Sequence, residues 1–137
     1  MAFVQDASSA LLWCFQDEAT PATEHLLASA ASGVRIYVPS NWPLELLNVL
    51  TRAKRRGRVD DQTIHVFLKE LGGFNVVLDT RPMNELWAEA LPLIRTYQLS
   101  AYDAAYLALA KRLSVPLAMF DSRLRDSAIL ERVALQI

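Results

Sequence analysis

Residues 2–38 read AFVQDASSALLWCFQDEATPATEHLLASAASGVRIYV, and this stretch decides the fold class. It opens on a short apolar run, Ala2 to Gln5, and passes through two segments with helical spacing, Ser8 to Asp17 and Pro21 to Ala31. It ends in a second apolar run, Val34 to Val38. Short apolar runs separated by helical segments predict parallel strands joined by right-handed crossovers. Working outward, further apolar runs occur at Phe74 to Leu78, Pro116 to Phe120 and Val133 to Ile137. The remaining helical candidates are Pro43 to Arg56, Asp60 to Leu71, Met83 to Tyr97, Ala101 to Leu113 and Ser122 to Leu130. The expectation is an α/β fold: a three-layer α/β/α sandwich around a mainly parallel, roughly five-stranded sheet. Gly33, Gly57 and the pair Gly72 and Gly73 stand where helix C-caps are expected. Pro92 falls inside the fifth helical candidate and is expected to kink or divide it.

With 137 residues, 53% of them hydrophobic, the chain suits one domain spanning 1–137 with a real core. No repeat, low-complexity tract or linker interrupts it. The first fifteen residues contain Asp6, lack a basic start and never reach the roughly 18 apolar residues of a membrane span, so no signal or anchor is read and a cytoplasmic protein is expected. Cys14 is the lone cysteine, which excludes an internal disulfide and a thiolate zinc cluster. Net charge is −1, yet five of the 14 basic residues are Arg52, Lys54, Arg55, Arg56 and Arg58. That run can meet phosphates or simply complement a helix C-terminus. His25 and His65 lie in helical segments away from the acids discussed next, no Ser, His, Asp arrangement is present, and no phosphate-cradling glycine loop occurs. Nucleophilic catalysis by the protein and ATP chemistry are therefore disfavoured.

Four acids occupy informative positions. Asp6 and Asp121 directly follow predicted strands, Asp103 opens a helix, and Glu45 lies in the first turn of another. In open α/β sheets ligands bind at the carboxyl ends of the strands, so all four can converge on one rim. Each also has an ordinary structural reading. Asp6 and Asp121 are well placed as N-caps, Asp103 completes an S-x-x-D box with Ser100, and Glu45, Asn48 and Arg52 share one helix face that can be simply exposed. As a set, however, four acids on one edge repel each other unless cations lie between them. All-oxygen ligands favour Mg²⁺ or Mn²⁺, ions that complete their shell with substrate phosphate, which points to phosphodiester chemistry.

Local sequence adds a resemblance. Val4-Gln5-Asp6-Ala7-Ser8, then Val38-Pro39 with Leu44-Glu45-Leu46-Leu47-Asn48-Val49-Leu50, then Leu99-Ser100-Ala101-Tyr102-Asp103-Ala104-Ala105-Tyr106-Leu107-Ala108-Leu109-Ala110, and finally Pro116-Leu117-Ala118-Met119-Phe120-Asp121 occur in this order. Together they resemble the PIN domains, especially the VapC toxins of bacterial toxin–antitoxin pairs, with 99–110 close to that family's YDAAYLALA signature. The resemblance implies an Mg²⁺- or Mn²⁺-dependent endoribonuclease that cleaves RNA through a metal-activated water. It implies an acidic pocket of Asp6, Glu45, Asp103 and Asp121, with Asp6 and Asp103 as direct metal ligands. Glu45 and Asp121 would bind a second ion or orient water, and Ser8 or Ser9 can add a hydroxyl, although a helix-start role is the favoured reading for both. It further implies a cognate antitoxin whose tail covers the groove, and a homodimer. One departure stands out: the family often carries Thr or Ser two residues before the last Asp, and Met119 stands there. A catalytically silent PIN-like module that binds RNA or protein is the alternative. A receiver or phosphatase-like domain is disfavoured, because Asp6-Ala7-Ser8 lacks D-x-D and no Lys follows the last predicted strand.

Overall fold

The computed structural model describes residues 2–136. Four strands, β1 (Ala2–Gln5), β2 (Arg35–Pro39), β3 (Val76–Asp79) and β4 (Leu117–Ala118), form one sheet in the order β3-β2-β1-β4. Every pairing is parallel, with Phe3 opposite Ile36, Val4 opposite Leu117 and Pro39 opposite Asp79. The central strand reads as a continuous apolar run because both of its faces are covered: Phe3 and Val4 are fully buried, as are Ile36, Val38 and Leu117 on its neighbours. Chain order moves outward from β1 through β2 to β3, then returns to place β4 on the other side of β1. The order reverses between β1 and β4, and at such a point a crevice opens at the carboxyl ends.

The connections are helical: α1 (Ala7–Leu11), a 3-10 turn at Gln16–Glu18, α2 (Pro21–Ala31), α3 (Trp42–Arg55), α4 (Asp61–Gly72), α5 (Met83–Tyr97), α6 (Ala101–Leu113) and α7 (Ser122–Leu130). Helix α6 packs on α5 and lies against β1, β2 and β4. Residues 106–110 are all buried, so this stretch is covered on every side, and Ala104, Ala108 and Ala110 allow neighbouring backbones to approach. No described helix is long and apolar enough to cross a membrane.

Three expectations need correction. The segment Ser8 to Asp17 is not one helix; α1 stops at Leu11, and the chain tightens through Trp13 N–H to Ala10 O and Cys14 N–H to Leu11 O. A tertiary contact favours that turn: the Trp13 indole N–H donates to Thr23 O at 3.1 Å and its ring meets Phe74 edge-on. The sheet has four strands, not five. Within Val133 to Ile137 there is one parallel bridge, Leu135 to Leu117, because β4 itself is only two residues long and offers no longer ladder. Ile137 lies outside the described residues. Finally, Pro92 does not divide α5, which runs as one helix from Met83 to Tyr97 with Pro92 on its exposed side. Gly33 and Gly57 do adopt the left-handed conformation expected just past α2 and α3, with φ of 98° and 74°. Gly73 ends α4 with ordinary negative φ instead.

Candidate active site

Asp6 leaves β1 at the order reversal and caps α1. Its carboxylate accepts the Ser9 N–H at 2.8 Å, while the Ser9 hydroxyl lies 3.1 Å from both Asp6 O and Ala118 O, tying the ends of β1 and β4 together. The capping reading is therefore correct for Asp6, and it does not remove the residue from the rim. Only 6% of Asp6 is exposed. Burial raises its carboxyl to about 6, Asp103 and Glu45 add to that rise by repulsion, and the Ser9 bonds oppose it. Ser8 is exposed. Of the two serines, Ser9 is the one built into the site.

Asp103 sits in the first turn of α6, whose cap is Ser100, accepting the Asp103 N–H at 3.1 Å. Its carboxyl is also raised, first by burial, then by Asp121 and Glu45. Asp121 caps α7 through Leu124 N–H at 2.9 Å and is itself exposed. Glu45, in the first turn of α3, is held by a group that sequence reading did not single out. The Tyr106 hydroxyl donates to Glu45 Oε2 at 2.7 Å and accepts the Ala7 N–H at 3.2 Å. Tyr106 is 1% exposed, and burial together with Glu45 and Asp6 pushes its phenol far above the ordinary tyrosine range, so it stays a neutral donor. The available signal was helical spacing: Tyr106 is three residues after Asp103 and so shares its face.

Electrostatically, then, Asp6, Glu45 and Asp103 form one coupled group, and Asp121 joins through Asp103. The groups that shift Asp6 and Asp103 include carboxylates and hydroxyls but no cation. Among the described residues no three His, Cys, Asp or Glu side chains stand close enough to form a ready-made metal cage. Mg²⁺ needs no such cage, since it keeps several waters and is held by one or two carboxylates plus substrate phosphate. Mutually repelling carboxylates, with Asp6 buried and Asp103 and Glu45 partly so, are the donor set such an ion relieves, so the residues fit it. Met119 is 1% exposed and packs in the core, so the departing side chain does not face the rim.

Comparison with known proteins bears on the family and the fold. The PIN domain family matches residues 7–130. No curated protein matches the sequence. Among solved structures, PAE2754 from Pyrobaculum aerophilum is similar at 21% identity and a TM-score of 0.67, covering 93% of this chain and 84% of that one. FitAcB from Neisseria gonorrhoeae is similar at 15% identity and 0.60, covering 97% and 95%. VapBC2 from Rickettsia felis, solved bound to a DNA fragment from its promoter, gives 12% and 0.65, covering 98% and 97%. At these identities the structural likeness establishes the fold.

Proposed function

The chain belongs to the PIN-domain family, and from that premise we propose that it is a divalent-metal-dependent endoribonuclease, the toxin of a toxin–antitoxin pair, with 1–137 as a single PIN domain. The observation that carries the reading is the interacting carboxylate set at the carboxyl edge of β1 and β4, where Asp6 and Asp103 are each raised by burial and by other carboxylates rather than relieved by a cation. Asp6 and Asp103 would hold Mg²⁺ or Mn²⁺. When bound, the ion supplies positive charge that draws in a phosphodiester, acidifies water and neutralises the leaving oxygen.

The chain's own residues do the rest. Ser9 fixes the Asp6 carboxylate through its N–H and pins the backbone at the strand ends. Tyr106, kept neutral by its surroundings, orients the Glu45 carboxylate and leaves its other oxygen for a water proton. Asp121 is the exposed member, placed to meet solvent or substrate at the mouth. The resemblance to VapC toxins also brings a cognate antitoxin, whose basic side chain would complement the acids, a homodimer and a cytoplasmic location into this reading.

The test is incubation of the purified, antitoxin-free chain with mixed structured RNA and Mn²⁺ or Mg²⁺, beside an EDTA control and a folded Asp103→Asn variant. Cleavage is expected only with metal and only in the parent. A folded chain that cuts none of several RNAs favours the silent binding module instead; a variant as active as its parent removes Asp103 from the site.

A further inference from the structure

Helix α3 begins at the acidic rim and ends in the basic run. At about 100° per residue, Glu45, Asn48, Arg52 and Arg56 fall within about 80° of each other around the helix axis. Asn48, Arg52 and Arg56 are exposed, whereas Leu46, Leu50 and Ala53 carry the buried face. The cations of this run are not equivalent. Lys54 pairs with Asp61 at 2.7 Å, and Arg58 meets Asp17 at 3.2 Å and Glu18 at 3.6 Å while its guanidinium stacks on Phe15. Those two have structural employment: Lys54 ties α3 to α4, and Arg58, just past α3, holds the turn that carries Asp17 and Glu18. Among the described residues no acid answers Arg52, Arg55 or Arg56. A helix C-terminus explains one or two cations near its last turn, but the macrodipole fades within that turn, and Arg52 and Arg56 place like charges four residues apart.

We infer that Arg52 and Arg56, with Asn48 between them and Glu45, form a track for the phosphates of an RNA strand leaving the acidic rim along α3. Arg52 stands about 10 Å and Arg56 about 16 Å along the axis from Glu45, so the track extends well beyond the reacting phosphate. The track reads backbone and not bases: it gives affinity and register without sequence preference. It also answers an electrostatic difficulty, since a polyanion approaching four carboxylates is repelled and needs cations beside, not inside, the pocket. This inference rests on the nuclease reading, with RNA taken as the strand.

The experiment compares cleavage of a single-stranded RNA long enough to span α3 by the parent, by Arg52→Gln/Arg56→Gln and by Lys54→Gln/Arg58→Gln, across a range of salt. For the first variant KM is expected to rise on the order of tenfold with kcat nearly unchanged. The slope of log affinity against log salt is expected to fall by about 1.4, which is about 0.7 for each of the two phosphates left without its cation. The second variant, whose cations are already answered by acids, is expected to keep the parent's KM and salt slope. If Arg52→Gln/Arg56→Gln cuts with the parent's KM and slope, the track is wrong while the parent's activity keeps the nuclease reading alive. The same holds if that variant loses only binding to poly-glutamate, which assigns the face to an acidic protein partner. If the parent itself cuts nothing, both readings fall together.

Discussion

Two sets of acids sit at the carboxyl edge of the same sheet, and they have been treated in opposite ways. Asp79, the last residue of β3, is as much a strand-end carboxylate as Asp6, yet Arg112 pairs with it at 2.7 Å. Glu89 is held by Arg112 at 3.0 Å and by Arg81 at 3.1 Å, and Arg81 also reaches Glu85 at 3.2 Å. Around Asp6 and Asp103, by contrast, burial raises both carboxyls first, the neighbouring carboxylates raise them further, and no cation opposes the rise. Position after a strand is therefore not what distinguishes a candidate site here. The difference is whether the fold supplies the countercharge or leaves it to be brought from outside.

The hardest blow to that contrast would come from Asp6→Asn. Asparagine still accepts the Ser9 N–H, so the cap of α1 survives, but the charge is gone. Cleavage is expected to fall on the order of a hundredfold or more, while the metal-free protein at neutral pH gains about 1–3 kcal/mol in denaturant unfolding. A loss of both activity and stability would mean that Asp6 works as a structural acid like Asp79. Next in size, Arg112→Ala strands Asp79 in half-buried surroundings, leaves Glu89 to Arg81 alone, and is expected to cost about 2–3 kcal/mol with little change in cleavage. A change within a few tenths would place that network among ordinary surface pairs.

The pH dependence sharpens the comparison further. The Asp6 carboxyl is raised in the folded chain from 3.8 to about 6, so the folded state holds the proton more tightly than the unfolded one. Its stabilising share is present below about pH 4 and is lost as pH rises through about 6. Unfolding in EDTA should show this decline, by at most about 3 kcal/mol, and saturating Mg²⁺ at pH 7 should restore part of it. A profile that Asp6→Asn leaves unchanged would assign the decline to another group. The smallest effect is expected for Tyr106→Phe: about 1–2 kcal/mol of stability, from the Ala7 N–H and Glu45 left short of a partner, and a several-fold drop in kcat with KM little altered. An equal change in KM alone would argue that Tyr106 shapes binding and does not orient Glu45.

What the sequence disclosed follows the range of the interactions involved. Helices α2, α5, α6 and α7 were legible to the residue: Thr20, Ser100 and Asp121 cap three of them, each within three residues of its partner. The end of α1 was not, because the Trp13 indole bonds across to α2. Neither was the shrinkage of the fifth strand to one bridge, which depends on how much of β4 is available to pair. The four acids were legible as a set because strand ends and helix starts share an edge in this fold class. Tyr106 was hidden in plain view within its signature, since its partners at positions 7 and 45 are 99 and 61 residues away.

That one hydroxyl also has an evolutionary consequence. Position 106 answers simultaneously to a carboxylate on one helix and to an amide at the start of another, so no single exchange there can be repaired locally. Among relatives of this chain, positions 45 and 106 should be inherited as a pair: where the acid is lost the phenol is free to drift, and where the phenol is lost the acid becomes a liability.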